Sequence, residues 1–493
     1  MNTSIIRYVI GWVMVIEGLL MALPCAVAVI YGEGVGWYFA AVAAAELAVG
    51  LILTRRPAAS NVFYIREGCV STALCWIVLS VVGCLPFWLS GEIPSFTDAL
   101  FETISGFTTT GASILSDVEH LSYCMLFWRS FTHWIGGMGV LVFLLAVIHM
   151  PGGSHMNLMK AESPGPSVGK LRPKVGQTAR ILYLIYLGLT VLEVLLLLAG
   201  RMPLFDALTT TFGSAGTGGF GIKNDSMMSY SPYLQWVVTI FMALFGVNFS
   251  VYYLLLFRKW KQAFQIEEVR KYFLIMGAAI LLVLFDLRNT GLAFWDALRH
   301  SAFQVVSIMT TTGFATVDFN QWPQTARTVL VLLMFVGACA GSTGGGIKVS
   351  RIVVMIKTMF KELHTYMFPK SIRKIKMDGK PVEHETVRGI NVFFITFMLI
   401  FSFSVLILSL EGKDMVSNFT AVAATFNNIG PGLELVGPTG NFGLFSPLSK
   451  YILMFDMLAG RLELFPMLML FYPPCWKGML RRRSGGQEEP IQL

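Results

Sequence analysis

Charge is scarce in this chain. Only 13% of its 493 residues are Asp, Glu, Lys or Arg, while 55% are hydrophobic and mean hydropathy is +0.65. A soluble globular chain carries about 25% charged residues, so most of this one must sit in lipid. Cysteines arranged for pairing or metal binding are lacking too. The seven (Cys25, Cys69, Cys75, Cys84, Cys124, Cys339, Cys475) lie mostly in or beside apolar runs without a CxxC pair. That spacing argues against a disulfide scaffold or a zinc site and leaves small packing residues. The seven histidines form no HExxH-like pattern, and His133 and His300 read as local hydrogen bonders. No nucleophile, metal or acid–base constellation stands out, which makes an enzyme the weakest reading.

What the chain has in quantity is apolar runs long enough for a membrane span, about 20 residues each. They fall near residues 5–30, 37–53, 69–89, 125–149, 181–200, 234–257, 273–287, 329–360 (interrupted), 390–410 and 451–472. The first is too long for a signal-peptide core and is expected to be retained. The net charge of +8 does not point to nucleic acid, because Lys and Arg collect in alternate loops. Those clusters are Arg55 and Arg56; Lys160, Lys170, Arg172 and Lys174; Arg258, Lys259 and Lys261; residues 370–380; and residues 481–483. The positive-inside rule makes that side cytoplasmic, and about ten crossings put both termini there. The opposite loops carry Glu33, Glu92, Asp98, Glu102, Asp117 and Glu119, a mildly acidic surface that would concentrate cations.

Between certain spans lie segments too short and too polar to cross, and they resemble one another. Each opens on a short motif: FTDAL with Asp98, LFDAL with Asp206, FWDAL with Asp296, and the more degenerate NFTAV with Asn418. Each then reaches a glycine turn: TTTGA at Gly111, GTGGF at Gly219, TTTGF at Gly313 and NNIGP at Gly430. Four units of span, short helix, glycine turn and span are a repeat signal. Asp or Asn at the opening suits an N-cap. About ten helical residues then cover roughly 15 Å, half a bilayer, so the helix must stop in mid-membrane.

Irregular backbone at that depth leaves peptide groups that lipid cannot satisfy, so it must line something wet or bind something charged. Four copies about a pseudo-fourfold axis would aim carbonyls and Thr hydroxyls at a dehydrated cation, with the helix dipoles helping. The candidate filter is Thr109, Thr110 and Gly111; Thr217, Gly218 and Gly219; Thr311, Thr312 and Gly313; and Asn428, Ile429 and Gly430. The Gly218–Gly219 pair leaves the second register open by one residue. No Asp or Glu lies among these turns, which points to a monovalent ion. Polar re-entrant turns packed in protein are the bland alternative. The fold class expected is an all-α integral membrane protein with a central pore.

At these residues the chain resembles the Trk/Ktr/HKT superfamily of potassium transporters, whose single-chain pores are four fused span, pore-helix, span units. The likeness covers nearly the whole sequence. The two additional spans before the first unit resemble the bacterial TrkH and TrkG branch rather than KtrB. The resulting division is 1–60 for the extra helices and 61–175, 176–265, 266–380 and 381–493 for the four pore repeats. The resemblance implies potassium uptake across a bacterial inner membrane, with the ion held mainly by filter carbonyls. It implies a homodimer with one pore per protomer and a cytosolic, nucleotide-binding TrkA-like ring docked on the basic face. Nucleotide would then act only through that partner, and no nucleic acid is involved. A sodium- or proton-coupled carrier of similar architecture is the alternative. Carriers usually show two related halves with broken helices, whereas this chain shows four units and one broken span.

That break contains Gly337, Gly341, Ser342, Thr343, Gly344, Gly345, Gly346 and Lys348. It is a near miss to a P-loop, since Ile347 stands where the motif needs Lys and no strand precedes it. The resemblance makes it an intramembrane gate beneath the filter; a close-packing kink is the other reading. Arg461 lies inside an apolar run and should face a cavity or partner. It matches the family's pore arginine, which implies an electrostatic barrier; snorkelling or pairing with Asp456 or Glu463 stays open. Gly136, Gly137 and Gly139 read as helix contacts and Asn248 as a hydrogen bond within the bundle.

Overall fold

A computed structural model describes residues 1–56, 64–139, 175–288, 290–371 and 373–476. The expected basic clusters at Lys160–Lys174 and 481–483, and the end of the 125–149 run, lie outside these residues. The chain begins with α1 (Thr3–Leu20), α2 (Ala22–Tyr31) and α3 (Gly36–Thr54). Next come α4 (Ile65–Gly83), α5 (Leu85–Ser90), the short α6 (Phe96–Phe107) and α7 (Tyr123–Gly137). The same order returns in α8 (Val175–Ala199), short α9 (Leu204–Gly216), then α10 (Pro232–Phe245) and α11 (Phe249–Leu256). A linking helix α12 (Trp260–Gln265) leads to α13 (Glu267–Leu287), short α14 (Phe294–Met309), α15 (Gln324–Val336) and α16 (Val349–Met367). After a small hairpin of β1 (Lys376–Met377) and β2 (Lys380–Pro381) come α17 (His384–Ser409), short α18 (Met415–Phe426), α19 (Pro447–Arg461) and α20 (Phe465–Phe471).

Among the described residues, five helical segments are by themselves long and apolar enough to cross a membrane: Thr3–Tyr31, Gly36–Thr54, Ile65–Ser90, Ala179–Ala199 and His384–Ser409. Of the other expected spans, the 125–149 run lies partly outside the described residues, that at 273–287 belongs to a helix opening on Glu267, Glu268, Arg270 and Lys271, and the rest are broken. Three of them break after the half that faces the short helices. The run at 234–257, expected to be continuous, turns by 91° between α10 and α11. The run at 329–360 opens between α15 and α16, as expected. The run at 451–472 is interrupted between α19 and α20, where Glu463 and Leu464 have φ of 55° and 72°. The contrast with carriers drawn from a single broken span therefore does not hold.

The short helices sit in the middle. Every residue of α6 from Ala99 to Phe107, and of α18 from Thr420 to Phe426, is buried, because neighbouring helices close around each one. Outward positions such as Leu195, Leu281 and Leu399 are exposed and apolar, as a lipid-facing surface requires. No disulfide joins the cysteines; all are buried except the half-buried Cys25.

The openings of the short helices correct the sequence reading by a few residues. Asp98, Asp206 and Asp296 lie in the first turn, while the N-cap positions are Ser95, Pro203 and Ala293. The aspartates complement the positive end of the helix dipole and find partners: Lys450 Nζ at 2.6 Å from Asp98, Tyr230 Oη at 2.8 Å from Asp206, and Arg299 at 2.8 Å from Asp296. In α18 the cap is Asp414 rather than Asn418, and it accepts from the Ser417 amide at 2.8 Å. Asp414→Ala is expected to cost about 1 kcal/mol, a typical cap contribution, read as a lower unfolding temperature in detergent. Hydrogen bonding from Ser417 holds the Asp414 carboxyl below its ordinary range. A depressed carboxylate stabilises above its unfolded value, so this contribution should be whole above about pH 4 and fade as pH falls through the lowered value.

Candidate functional site

The four short helices end in the same way. The amide of Thr110 reaches back to Ser105 O at 2.9 Å, Gly218 to Gly213 O at 2.8 Å, Thr312 to Ser307 O at 2.8 Å and Ile429 to Ala424 O at 2.8 Å. This closing bond goes with a left-handed residue just before it: Thr109, Thr217, Thr311 and Asn428, with φ of 55–59°. After one ordinary residue, Gly111, Gly219, Gly313 and Gly430 return to positive φ, between 76° and 98°. Backbone that alternates in this way brings successive carbonyls to one side. Asn enters the left-handed region readily, but a β-branched Thr there is strained by about 1–3 kcal/mol and persists only where its surroundings enforce it. Three such threonines are gathered in one place, and strain of that kind marks functional sites.

The glycines close the four strands into a ring. A Cβ on Gly111 would fall on the Gly218 carbonyl, one on Gly219 on that of Thr312, and one on Gly313 on that of Ile429. A Cβ on Gly430 would come within 2.8 Å of the Thr110 carbonyl, completing the circle. The counterpart of Gly111 is thus Gly219 and not Gly218, which resolves the open register. All four of these glycines line one cavity, together with Arg129, Ser113 and Asn224. The Thr hydroxyls contribute less than expected. Thr110 Oγ1 is engaged by Thr108 at 2.8 Å and by Asn428 Nδ2 at 2.9 Å, and Thr312 Oγ1 by Thr310 at 2.8 Å. Among the described residues, Thr109 Oγ1 is the buried hydroxyl of these turns that has no hydrogen-bond partner.

The glycine-rich break lies against one side of this ring. Gly345 N donates to Thr311 Oγ1 at 2.6 Å, and a Cβ on Gly345 would come within 2.6 Å of Asn427 O. Thr343 Oγ1 donates to Phe245 O at 3.2 Å, the Lys348 ammonium folds back onto Gly344 O, and Ser342 Oγ donates to Cys339 O at 2.6 Å. The loop therefore packs on protein and offers no phosphate cradle. A carboxylate that sequence reasoning passed over organises it: Glu268 Oε1 accepts from Ala340 N at 2.7 Å and Ser350 N at 3.1 Å. Gly337, Gly341 and Gly346 all have positive φ. Asn248 caps α11 and lies 3.3 Å from where a Gly341 Cβ would stand, so it belongs to the break and not to a continuous bundle contact.

Arg461 joins the loop to α7. Its Nη1 donates to Thr343 O at 2.7 Å, and its Nη2 to Gly137 O at 2.8 Å and to Gly136 O. Glu463, one of the pairings left open for Arg461 in the sequence, forms a salt bridge with Arg351. Gly137 packs on Gly216, where a Cβ would come within 2.6 Å of its Cα, as expected of a close contact. His133 is a local hydrogen bonder: Nε2 accepts from Phe220 N at 3.2 Å, which leaves Nδ1 to donate to Gly106 O at 2.7 Å.

The acidic outer surface is smaller than the sequence suggested. Glu33 accepts from Tyr123 N and Cys124 N at 2.7 and 2.9 Å, and Glu92 from Ser122 N at 3.0 Å, so both serve the start of α7. Glu102 is fully buried on α6 against Arg129. Asp117 and Glu119 remain near the cavity, both joined to Asn224. Arg129 could have been found by the argument that singled out Arg461, a charge inside an apolar run.

Four buried strands closing a ring at the centre of a bundle with membrane-length helices are the arrangement of a membrane transport protein. The chain matches the TrkH family, described as a cation transport protein, over residues 38–477. It is 36% identical to the Trk system potassium uptake protein TrkH of Salmonella typhimurium over 491 residues, covering 97% of this chain and 100% of that one. It is 32% identical to TrkG of Escherichia coli over 486 residues, with 97% and 100% covered. The crystal structure of the potassium transporter TrkH from Vibrio parahaemolyticus superposes with a TM-score of 0.86 at 32% identity, over 97% of this chain and 100% of that one. This chain belongs to the TrkH family of cation transport proteins.

Proposed function

We propose that the chain takes up potassium across a bacterial inner membrane through a gated pore whose filter is the ring of four strands. The observation that carries this reading is the fourfold recurrence of left-handed, ordinary and left-handed backbone at residues 109–111, 217–219, 311–313 and 428–430. Such a ring presents carbonyls in place of a hydration shell. The break at 337–348 acts as the gate and Arg461 as the barrier beside it. The four segments 61–175, 176–265, 266–380 and 381–493 each supply one strand, behind the extra helices of 1–60. The names of the relatives, all potassium uptake proteins of Trk systems, support the choice of ion. A homodimer, a TrkA-like ring on the basic cytoplasmic face and cytoplasmic termini complete the reading.

The test is ion flux into liposomes holding the purified protein, comparing potassium, rubidium, sodium and a larger organic cation. Potassium and rubidium should enter in preference to the others. If the pore is shut alone, adding a TrkA-like ring with nucleotide should open it, and silence under both conditions would sink the proposal. A flux that requires an inward sodium or proton gradient would instead select the coupled carrier.

A further inference from the structure

We infer that the buried Glu102–Arg129 pair is a positioning element that sets the spacing of the first two strands of the ring, and with it the discrimination among monovalent cations. The inference rests on the reading of the ring as a potassium filter. Arg129 Nε lies 2.6 Å from Glu102 Oε1, and both side chains are almost wholly out of solvent, at 3% and 0% exposure. The carboxylate holds the exit of the first strand: Oε1 accepts from Ser113 Oγ at 2.9 Å and Oε2 from Ile114 N at 3.0 Å. The guanidinium holds the exit of the second: Nη1 donates to Gly221 O at 2.8 Å and the group stacks on Phe220 at 3.5 Å. His133, four residues further along the same helix, takes Phe220 N. Residues 105–114 and 220–221 are thus fastened to each other through α7.

The other junctions of the ring are made differently. Strands two and three meet through Met227 N and Ala315 O at 2.9 Å, and strands four and one through Phe442 N and Ser113 O at 2.8 Å. Strands three and four meet through Asn320 and Glu434, whose side chain is 46% exposed. Nine residues before the ring glycine the four segments carry Glu102, Thr210, Gln304 and Ala421, so only the first has an acid there. A planar fork bound at two points fixes a distance that a flexible ammonium does not. Arg129 also lines the cavity at the ring. Left without Glu102, its charge would repel the cations that the ring is there to admit.

The test uses the full chain in liposomes, with the rubidium-to-sodium flux ratio as the readout. Glu102→Gln is expected to cut rubidium entry by roughly tenfold, with little relief from added salt because so buried a guanidinium is poorly screened. Arg129→Lys keeps the charge and loses the fork, so the ratio should fall while total flux is kept. Ser113→Ala removes one bond to Glu102, and the one Ser113 Oγ accepts from Leu115 N at 3.2 Å, without burying an unpaired charge, and should lower the ratio by a smaller factor, about two- to fivefold. A merely structural pair would lower thermal stability and leave the ratio unchanged. If folded Ser113→Ala and Arg129→Lys proteins keep the ratio of the unaltered chain, the inference is overturned; if Arg129→Lys does not fold, Ser113→Ala decides alone. Lack of potassium or rubidium preference in the unaltered chain would bring down the filter reading as well, which separates the two failures.

Discussion

Gly313→Ser is expected to lower the potassium-to-sodium flux ratio by roughly tenfold or more in a chain that still folds, since every 1.4 kcal/mol is a factor of ten. Two separate effects act at this position. The residue has φ of 87°, a conformation that costs an L side chain about 1–2 kcal/mol. The new Cβ would also fall on the Ile429 carbonyl and stand 2.9 Å from Pro431 Cδ. Because Ile429 belongs to the next strand, the strain is passed to a second carbonyl of the ring and cannot be relieved locally. Gly32→Ser is the matching control, for Gly32 has φ of 70° and nothing within 4 Å of a Cβ. It carries the backbone cost without the ring, so its flux ratio should stay at the level of the unaltered chain. A folded Gly313→Ser protein with unaltered selectivity would remove Gly313 from the filter.

Arg461→Ala is expected to raise potassium flux about tenfold, measured in liposomes at equal protein content. Hydrogen bonds from a charged donor are worth about 1.5–3 kcal/mol each, and Arg461 makes them to Thr343 O on one side and to Gly136 and Gly137 O on the other. A bridge between the loop and α7 favours the arrangement in which both are held. Removing it moves the population toward the released loop by the differential free energy lost. It also removes a cation from beside the ring. Arg461→Lys keeps the charge but cannot reach both sides at once, so an intermediate flux would weight the bridge and an unchanged one the charge. Flux equal to or below that of the unaltered chain in Arg461→Ala would rule out the barrier role.

The legible part of the site was local. TTTG at Gly111 and Gly313 announced a turn that only glycine can end, and the match of the Asp-opening motifs announced short helices. Local patterns fail where the same residue type serves two purposes. The Asp at each opening suits an N-cap and a first-turn position equally well by composition, and only backbone geometry separates Asp98 from Ser95 as the cap. Gly218 and Gly219 are chemically identical, so their register had to wait for the neighbour each one touches. The run at 234–257 reads as a continuous span because Gly246 and Asn248 interrupt hydropathy too briefly to signal a 91° turn. Glu102 looked like a surface acid because its partner, Arg129, is 27 residues away.

Composition and short-range pattern alone place the chain in lipid, give it half-length helices, and end those helices in glycine turns. These follow from composition and from patterns within a few residues, which act through propensity and solvation alone. The tertiary structure decided which glycines meet, that the hydroxyls of Thr110 and Thr312 are taken up by neighbours, and that Arg461 answers to carbonyls of Thr343 and α7 while Arg351 takes Glu463. It also decided that a carboxylate and a guanidinium bind two strands of the ring together. Each of these contacts joins residues far apart in the chain. In a medium without water to satisfy them, buried polar groups must find one another wherever the packing of helices brings them.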